Sequence, residues 1–260
     1  MIANCDRTTV FFRLRNASVA ELNRGNRGKT RMPNSSNTNK DPKPVKVLLY
    51  KWAGQWGPFK VKIPCGECAL TEDVIEDTLA VELANAEVDF EIKEWLTYWW
   101  EPLLKGGGWH APIVFVEDKL IGQGDALNRG LLAEEAIRAY VQRFPVKGTH
   151  VFGKEKCPHC TRAKEYMEKA GIPYDYHDVV TNPGAMYEML SRVKPIIGEK
   201  TPVTTPQIWI DGEFIGGADE LGARLGFDVE PDPRRGKGAL SPPKKLSGKE
   251  QKRLREKYGD

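Results

Sequence analysis

The chain has 260 residues, of which 40% are hydrophobic and 29% charged, and its net charge is +3. This length accommodates two small domains with separate cores, and no apolar run approaches the roughly 20 residues that a membrane helix needs. The N-terminus also lacks the apolar run of about 7–15 residues typical of a signal peptide. We therefore expect a cytoplasmic protein without a membrane segment, in which a Cys-x-x-Cys pair is more often catalytic or metal-binding than structural.

The charge is distributed unevenly. Residues 1–43 carry 9 Lys/Arg against 3 Asp/Glu and residues 231–260 carry 10 against 4, so each end is at +6 while residues 44–230 are at −9. The ends are polar and rich in Gly and Pro, which predicts disordered tails. We expect solvated tails, with an acidic partner surface as the alternative and no nucleic-acid partner. Met32 is a candidate for the true start, with residues 1–31 as an upstream artefact.

The predicted elements of a first domain, residues 44–144, alternate between strands and helices. In chain order they are a strand at 45–50, a loop to Cys65, a helix from Thr71 to about Ala86, a strand at 87–95, a hairpin that turns at Glu117-Asp118, and a helix from about Asp125 to Arg143. Six of the seven tryptophans lie in this domain, either as core and loop packing or as an aromatic contact surface.

The second domain, residues 145–230, repeats the same order of elements. It has a strand at 150–154, a helix that Cys157 opens and that ends at Lys169, a strand at 173–180, a helix from near Pro183 that stops before Pro195, a hairpin that turns at Asp211-Gly212, and a helix from Asp219. The order βαβαββα in both domains predicts an α/β fold with two tandem four-stranded mixed sheets flanked by helices.

A repeat of sequence motifs supports this duplication. Cys65-x-x-Cys68 and Cys157-x-x-Cys160 are 92 residues apart, and the Pro-led segments that begin at Pro112 and Pro206 are 94 residues apart. Those segments align over 16 positions without a gap and share five residues. A repeat of this length indicates one folded unit used twice, with one cysteine pair in each.

The cysteine pairs point to thiol–disulfide chemistry. A cysteine at the N-terminus of a helix faces free backbone N–H groups and the positive end of the helix dipole, which lower its pKa. A second cysteine one turn later can attack the resulting mixed disulfide. We therefore assign Cys157 as the nucleophile and Cys160 as the resolving thiol, with Lys154 and Lys156 adding positive charge nearby. The assignment requires Cys157 to lie close to Pro206 and to be open to solvent.

The segment KCPHCTRAKEYMEKAGIPYDYHDV, followed by TTPQIWIDGEFIGGADEL, resembles glutaredoxins over residues 149–226. The resemblance implies a thioredoxin-like fold and a glutathione-dependent oxidoreductase that reduces protein, small-molecule or glutathione mixed disulfides. Glutathione is then a co-substrate, and no cofactor is tightly bound. The Pro-His dipeptide between the cysteines leaves the direction of electron flow open, because such residues tune redox potential.

The resemblance also implies roles for individual residues. The Thr205-Pro206 bond is expected to be cis and to face Cys157, with the Thr205 backbone against the cysteine part of glutathione. The turn that includes Gly216, Gly217 and Asp219 is expected to hold the γ-glutamyl end, and Lys154 the glycine carboxylate. The implied glutathione-binding set is Lys154, His159, Thr205, Pro206, Gly216, Gly217 and Asp219.

The first domain resembles the family less closely. Pro112 and Asp125 match Pro206 and Asp219, but Glu67 between the cysteines opposes thiolate formation. Cys65 and Cys68 are therefore either a working dithiol that relays electrons or a vestigial one. The chain as a whole has two alternative interpretations, a redox-domain adaptor or structural subunit of a larger assembly, and a [2Fe–2S] carrier. We predict no protein-bound metal site, because each cysteine pair belongs to its own repeat and a four-cysteine zinc site would need both.

Overall fold

The structure is a computed structural model that describes residues 42–228, apart from the side chain of Trp56. The predictions of disordered tails and of a start at Met32 concern residues that lie almost entirely outside this range. Among the described residues, no helix is both long enough and apolar enough to span a bilayer.

Residues 42–228 form ten strands and six helices. They are β1 (Val45–Lys51), β2 (Ala53–Trp56), β3 (Phe59–Lys62), α1 (Gly66–Ala80), β4 (Val88–Glu94), α2 (Trp100–Leu104), β5 (Ile113–Val116), β6 (Lys119–Gln123), α3 (Arg129–Arg143), β7 (His150–Gly153), α4 (Pro158–Lys169), β8 (Asp175–Asp178), α5 (Pro183–Ile197), β9 (Gln207–Ile210), β10 (Glu213–Gly216) and α6 (Ala218–Leu225).

Two four-stranded mixed sheets share one topology. Their strand orders are β4-β1-β5-β6 and β8-β7-β9-β10. In the first sheet β1 is parallel to β4 and antiparallel to β5, and in the second β7 is parallel to β8 and antiparallel to β9. The predicted α/β fold with two tandem mixed sheets is confirmed, and each sheet places its Cys-x-x-Cys directly before a helix.

Several element boundaries differ from the sequence-based predictions. Helix α1 begins at Gly66 rather than Thr71, because the Cys65 sulfur accepts the Cys68 N–H and so caps the helix five residues earlier. It also ends at Ala80 rather than near Ala86. Helix α3 begins at Arg129 rather than Asp125, since the side chain of Asn128 caps it.

Helix α5 continues through Pro195 to Ile197, although the position of Pro195 predicts that the helix stops before this residue. Proline costs most in a helix interior, whereas Pro195 lies in the last turn. That turn is stabilised from outside, because the Lys194 ammonium donates to the carbonyl oxygens of Glu199 at 2.6 Å and Thr201 at 3.1 Å.

The predicted loop before Cys65 contains a hairpin of β2 and β3. Two hydrogen bonds join this hairpin to the segment after β4. The Gln55 N–H donates to Thr97 Oγ1 at 2.9 Å, and the Leu96 N–H donates to the Ala53 carbonyl at 2.9 Å. Gly54 has φ +136, and a Cβ there would lie 2.6 Å from the Thr97 nitrogen. Contacts with a distant segment therefore define this hairpin, which local alternation does not predict.

The two halves pack through helices α3 and α5. Helices α1 and α3 cover one face of the first sheet, α4 and α6 cover one face of the second, and α5 covers the opposite face of the second. Tyr187 of α5 packs against the core of the first half, and Arg192 donates to the Phe144 carbonyl at 3.0 Å. The described halves belong to one compact unit.

A substitution at Gly184 tests the packing between the two halves. A Cβ at Gly184 would lie 2.4 Å from the carbonyl oxygen of Glu82 in the first half. We expect Gly184→Ala to lower the free energy of unfolding by about 1–3 kcal/mol, because backbone has to shift. The matched control is Gly66→Ala, which also lies in a first helical turn but has nothing within 4 Å. Equal urea midpoints for the two variants would contradict the close packing.

Candidate active site

Cys157 lies where strand β7 passes into helix α4. Three residues separate the strand from Cys157, which has the extended backbone of an N-cap at φ −104 and ψ 112. Its sulfur accepts the Cys160 N–H at 3.4 Å. Pro158 occupies the first helical position, where no N–H is needed. Cys157 therefore caps the start of the helix, as the sequence predicts.

A cis proline peptide lies beside this sulfur. The Thr205-Pro206 bond is cis, and Cys157 Sγ lies 3.8 Å from the Thr205 carbonyl oxygen and 3.9 Å from its hydroxyl oxygen. The Ala111-Pro112 bond at the matching place in the first half is cis as well. The expected juxtaposition of Cys157 with the Thr205-Pro206 peptide is confirmed.

The surroundings of Cys157 and Cys160 shift the pKa values of the two thiols in opposite directions. Burial opposes ionisation of Cys157, but hydrogen bonds from the Cys160 thiol and N–H, from Thr205 and from the His159 N–H outweigh it, so that its pKa is lowered. Burial, reinforced by the hydrogen bond with Cys157, raises the pKa of Cys160 to about 11. Cys157 is therefore the better thiolate of the two.

The Cys157 thiol is less open than the sequence analysis requires. Cys157 is only 6% exposed, and Cys160 is 2% exposed. The close contacts that lower the Cys157 pKa also cover its sulfur. The expectation that Cys157 is open to solvent is therefore not met.

An arginine that the sequence analysis missed joins two of the predicted residues. The Arg162 guanidinium forms an ion pair with Asp219 at the start of α6 and lies 3.0 Å from Nδ1 of His159. The His159–Arg162 spacing of three residues places both on one helix face, which the sequence does show. The partner at Asp219 is 57 residues away and could not be found from local spacing.

In the turn before α6, a backbone N–H that could bind a ligand already has a hydrogen-bond partner within the protein. Gly216 has φ +111, and Gly217 is the N-cap of α6. The Gly217 N–H, expected to face a ligand, donates to the carboxylate of buried Glu220 at 3.0 Å. Lys154, by contrast, is exposed. Of the predicted set, Thr205 and Pro206 lie at the sulfur, while Gly217 and Asp219 have partners within the chain.

Gly153 lets the strand approach the dithiol. A Cβ at this position would lie 2.9 Å from the Tyr176 hydroxyl oxygen and 3.1 Å from Cys160 Sγ. No local pattern singles out this glycine, because the close approach depends on β8 pairing with β7.

The first dithiol has the same backbone arrangement with different chemistry. The Cys65 sulfur accepts the Cys68 N–H at 3.2 Å, while the Cys65 thiol lies 3.6 Å from a carboxylate oxygen of Glu67. Burial, with the hydrogen bond to Cys65, raises the pKa of Cys68 to about 11. All four thiols are free. Among the hydrogen bonds of residues 42–228, none joins the two dithiols, and no group of three metal-binding side chains gathers in that range.

Two sheets of this topology, each with a Cys-x-x-Cys before a helix and a cis proline, define a protein of the thioredoxin-like superfamily. The Glutaredoxin family model matches residues 150–215. Glutaredoxin 3 of Escherichia coli strain K12 is 35% identical over 81 residues, which are 30% of this chain and 89% of that protein. Glutaredoxin 4 of Haemophilus ducreyi is 36% identical over 88 residues, 33% of this chain and 75% of that protein. The chain belongs to the glutaredoxin family.

A solved structure of wheat glutaredoxin is also similar. It is 21% identical, covers 35% of this chain and 82% of its own, and aligns with a TM-score of 0.29. That score is too low to support an inference about the site.

Proposed function

We propose that the chain is a glutathione-dependent thiol–disulfide oxidoreductase in which Cys157 is the nucleophile and Cys160 the resolving thiol. One observation carries this proposal: Cys157 Sγ sits at the α4 N-terminus beside Thr205 with a lowered pKa, while Cys160 has a raised one. Such a pair attacks with one sulfur and keeps the other protonated until it is needed. We place the activity in the cytoplasm, where thiols stay reduced.

The reaction is a sequence of sulfur exchanges. The Cys157 thiolate attacks the glutathione sulfur of a mixed disulfide, forms a new S–S bond, and displaces the substrate thiolate, which takes a proton from solvent. Cys160 then loses its proton and attacks Cys157 Sγ, which releases glutathione and leaves a Cys157–Cys160 disulfide. Alternatively, a second glutathione thiolate attacks the bound glutathione sulfur and regenerates Cys157. The high pKa of Cys160 favours this second route.

The residues around Cys157 fit glutathione as a substrate. Thr205 lies against the sulfur, where the cysteine part of glutathione would bind. Exposed Lys154, three residues before Cys157, is available to the glycine carboxylate. The Arg162–Asp219 pair presents both signs of charge and so suits the ammonium and carboxylate of the γ-glutamyl end. In this proposal residues 145–230 are the glutathione-dependent domain, and residues 44–144 are a divergent one.

Lys154→Glu in full-length protein tests the use of glutathione. We expect the KM for glutathione to rise roughly three- to tenfold, because a carboxylate replaces the cation that would meet the glycine carboxylate. Reduction of the same peptide disulfide by dithiothreitol, which is uncharged, should change little. Lys169→Glu, an exposed lysine at the far end of α4, is the matched control and should leave both rates unaltered. Turnover with dithiothreitol but none with glutathione in the unaltered protein would refute glutathione dependence.

A further inference from the structure

The first half carries two segments beside Cys65 that are built differently from the second half. Residues 52–64 separate β1 from Cys65 and contain the β2–β3 hairpin, whereas three residues separate β7 from Cys157. Residues 95–111 contain the short helix α2 where the second half has the 15-residue helix α5. The two segments are hydrogen-bonded to each other through Gln55 and Thr97.

These segments bring tryptophan rings together next to the first dithiol. Trp52 packs against Trp95 at 4.8 Å between ring centroids, Trp95 against Trp109 at 5.8 Å, and Trp99 stacks on Trp109 at 5.6 Å. Trp99 also meets Trp100 at 6.1 Å. We call these five rings the tryptophan surface. Trp52, Trp95 and Trp99 belong to the same apolar cluster as Cys65 and Cys68.

Much of the tryptophan surface is open. Trp100 and Trp109 are 45% and 59% exposed. Soluble monomers rarely expose a contiguous group of large aromatic side chains unless a partner covers it. Among the four described cysteines, Cys65 alone is not buried, so the reactive atom and the apolar surface are accessible together.

The charged residues around Cys65 differ in sign from those around Cys157. Helix α1 contains five acidic residues and no Lys or Arg, and one of them, Glu67, contacts the Cys65 thiol. Lys51, which pairs with Glu72, and Lys60 and Lys62 on the hairpin offset only part of this charge. Helix α4 instead carries Arg162, Lys164 and Lys169 against Glu165 and Glu168, and Lys154, Glu155 and Lys156 precede it, so that the net charge there is positive. The first site therefore disfavours an anionic tripeptide and favours apolar and cationic groups.

We propose that the tryptophan surface docks an extended segment of a partner protein, with apolar and cationic side chains around an internal disulfide that Cys65 and Cys68 reduce. This inference rests on the proposed thiol–disulfide chemistry but concerns a different dithiol and a different substrate. Cys65 loses its proton to solvent and its thiolate attacks one sulfur of the partner's disulfide, while the other sulfur leaves as a thiolate that solvent protonates. Cys68 then loses its proton, attacks Cys65 Sγ, releases the second partner thiol, and forms a Cys65–Cys68 disulfide.

Binding is measured separately from chemistry in full-length protein with all four described cysteines replaced by serine. Two synthetic peptides without cysteine carry Leu and Trp at the same positions. They differ only in that one, the Arg peptide, has Arg where the other, the Glu peptide, has Glu. We expect calorimetry to show at least about tenfold tighter binding of the Arg peptide, and a loss of about fivefold or more in Trp109→Ala. Leu131→Ala removes an exposed apolar side chain elsewhere on the first half and is the matched control. Equal affinity for the two peptides, or no effect of Trp109→Ala, overturns the proposal.

A third peptide with the sequence of residues 244–260 tests the chain's own basic end as the occupant. If it binds this surface more tightly than the Arg peptide, the partner-protein proposal is wrong. Exchange is then measured in the Cys157→Ser/Cys160→Ser protein with each peptide carrying an internal disulfide. The Arg peptide should be reduced about tenfold faster than the Glu peptide, and equal rates count against the proposal. Because Cys157 is absent, failure here and failure of the glutathione reaction are separate results.

Discussion

Cys157→Ser is expected to abolish reduction of a glutathione mixed disulfide, with a loss of at least about a thousandfold, because a serine hydroxyl does not ionise near neutral pH. Cys160→Ser should retain much of the rate. In that variant a second glutathione can still regenerate Cys157, although the Cys160 N–H and thiol contacts that stabilise its thiolate are altered. The measurement is the steady-state rate with glutathione as donor.

The first dithiol supplies the control. Cys65→Ser and Cys68→Ser should leave the glutathione-dependent rate within about twofold, since no hydrogen bond within residues 42–228 links that pair to Cys157. Full activity in Cys157→Ser would refute the nucleophile assignment. A large loss in Cys65→Ser would instead support the relay between the dithiols.

Phe152→Ala is expected to lower the free energy of unfolding by about 3–5 kcal/mol, since it leaves a cavity in a dense core. Phe152 is 1% exposed, lies on central strand β7, and contacts the rings of His177 at 4.8 Å and Trp209 at 5.4 Å. The strand that loses this anchor leads directly to Cys157, so we also expect slower turnover. Urea unfolding measures the stability change.

Phe214→Ala is the matched control for that substitution. Phe214 packs against the same cluster and contacts Trp209 at 4.9 Å but is only half-buried. Its loss should be smaller, about 1–2 kcal/mol, because its space opens toward solvent. A loss for Phe152→Ala no larger than for Phe214→Ala would show that the core around β7 is not packed as described.

The fold could be predicted where local pattern and structure agree. Strand β1 follows from its run of β-branched and apolar residues and the hairpin at Asp211-Gly212 from turn chemistry, both of which depend on neighbouring residues. The β2–β3 hairpin could not be predicted, because hydrogen bonds with Thr97 and Leu96 define it. The apolar helical spacing that includes Val74 and Ile75 predicts a start of α1 at Thr71, whereas the cap at Cys65 sets its start at Gly66.

In the candidate site, too, local features could be predicted from the sequence, whereas contacts between distant segments could not. Cys157 and Cys160 were found because their spacing on one turn of a helix is a local property. The Thr205-Pro206 contact was found through the family resemblance. Arg162 was missed because its pairing with Asp219 forms only after α4 and α6 pack together. The Glu220 contact with the Gly217 N–H is a capping box within α6, a local pattern that the sequence does contain.

The pH dependence of alkylation at Cys157 tests the central claim most directly. Full-length protein is treated briefly with iodoacetamide across a pH series, and modification of Cys157 is followed by peptide mass spectrometry, with the urea-unfolded protein as reference. Since only the thiolate reacts, the rate should fall through the pKa as the pH decreases. Half-maximal reactivity at a lower pH than the reference, which should lie near pH 8.5, is the expected result. A midpoint at or above the reference would contradict a stabilised thiolate at this helix N-terminus.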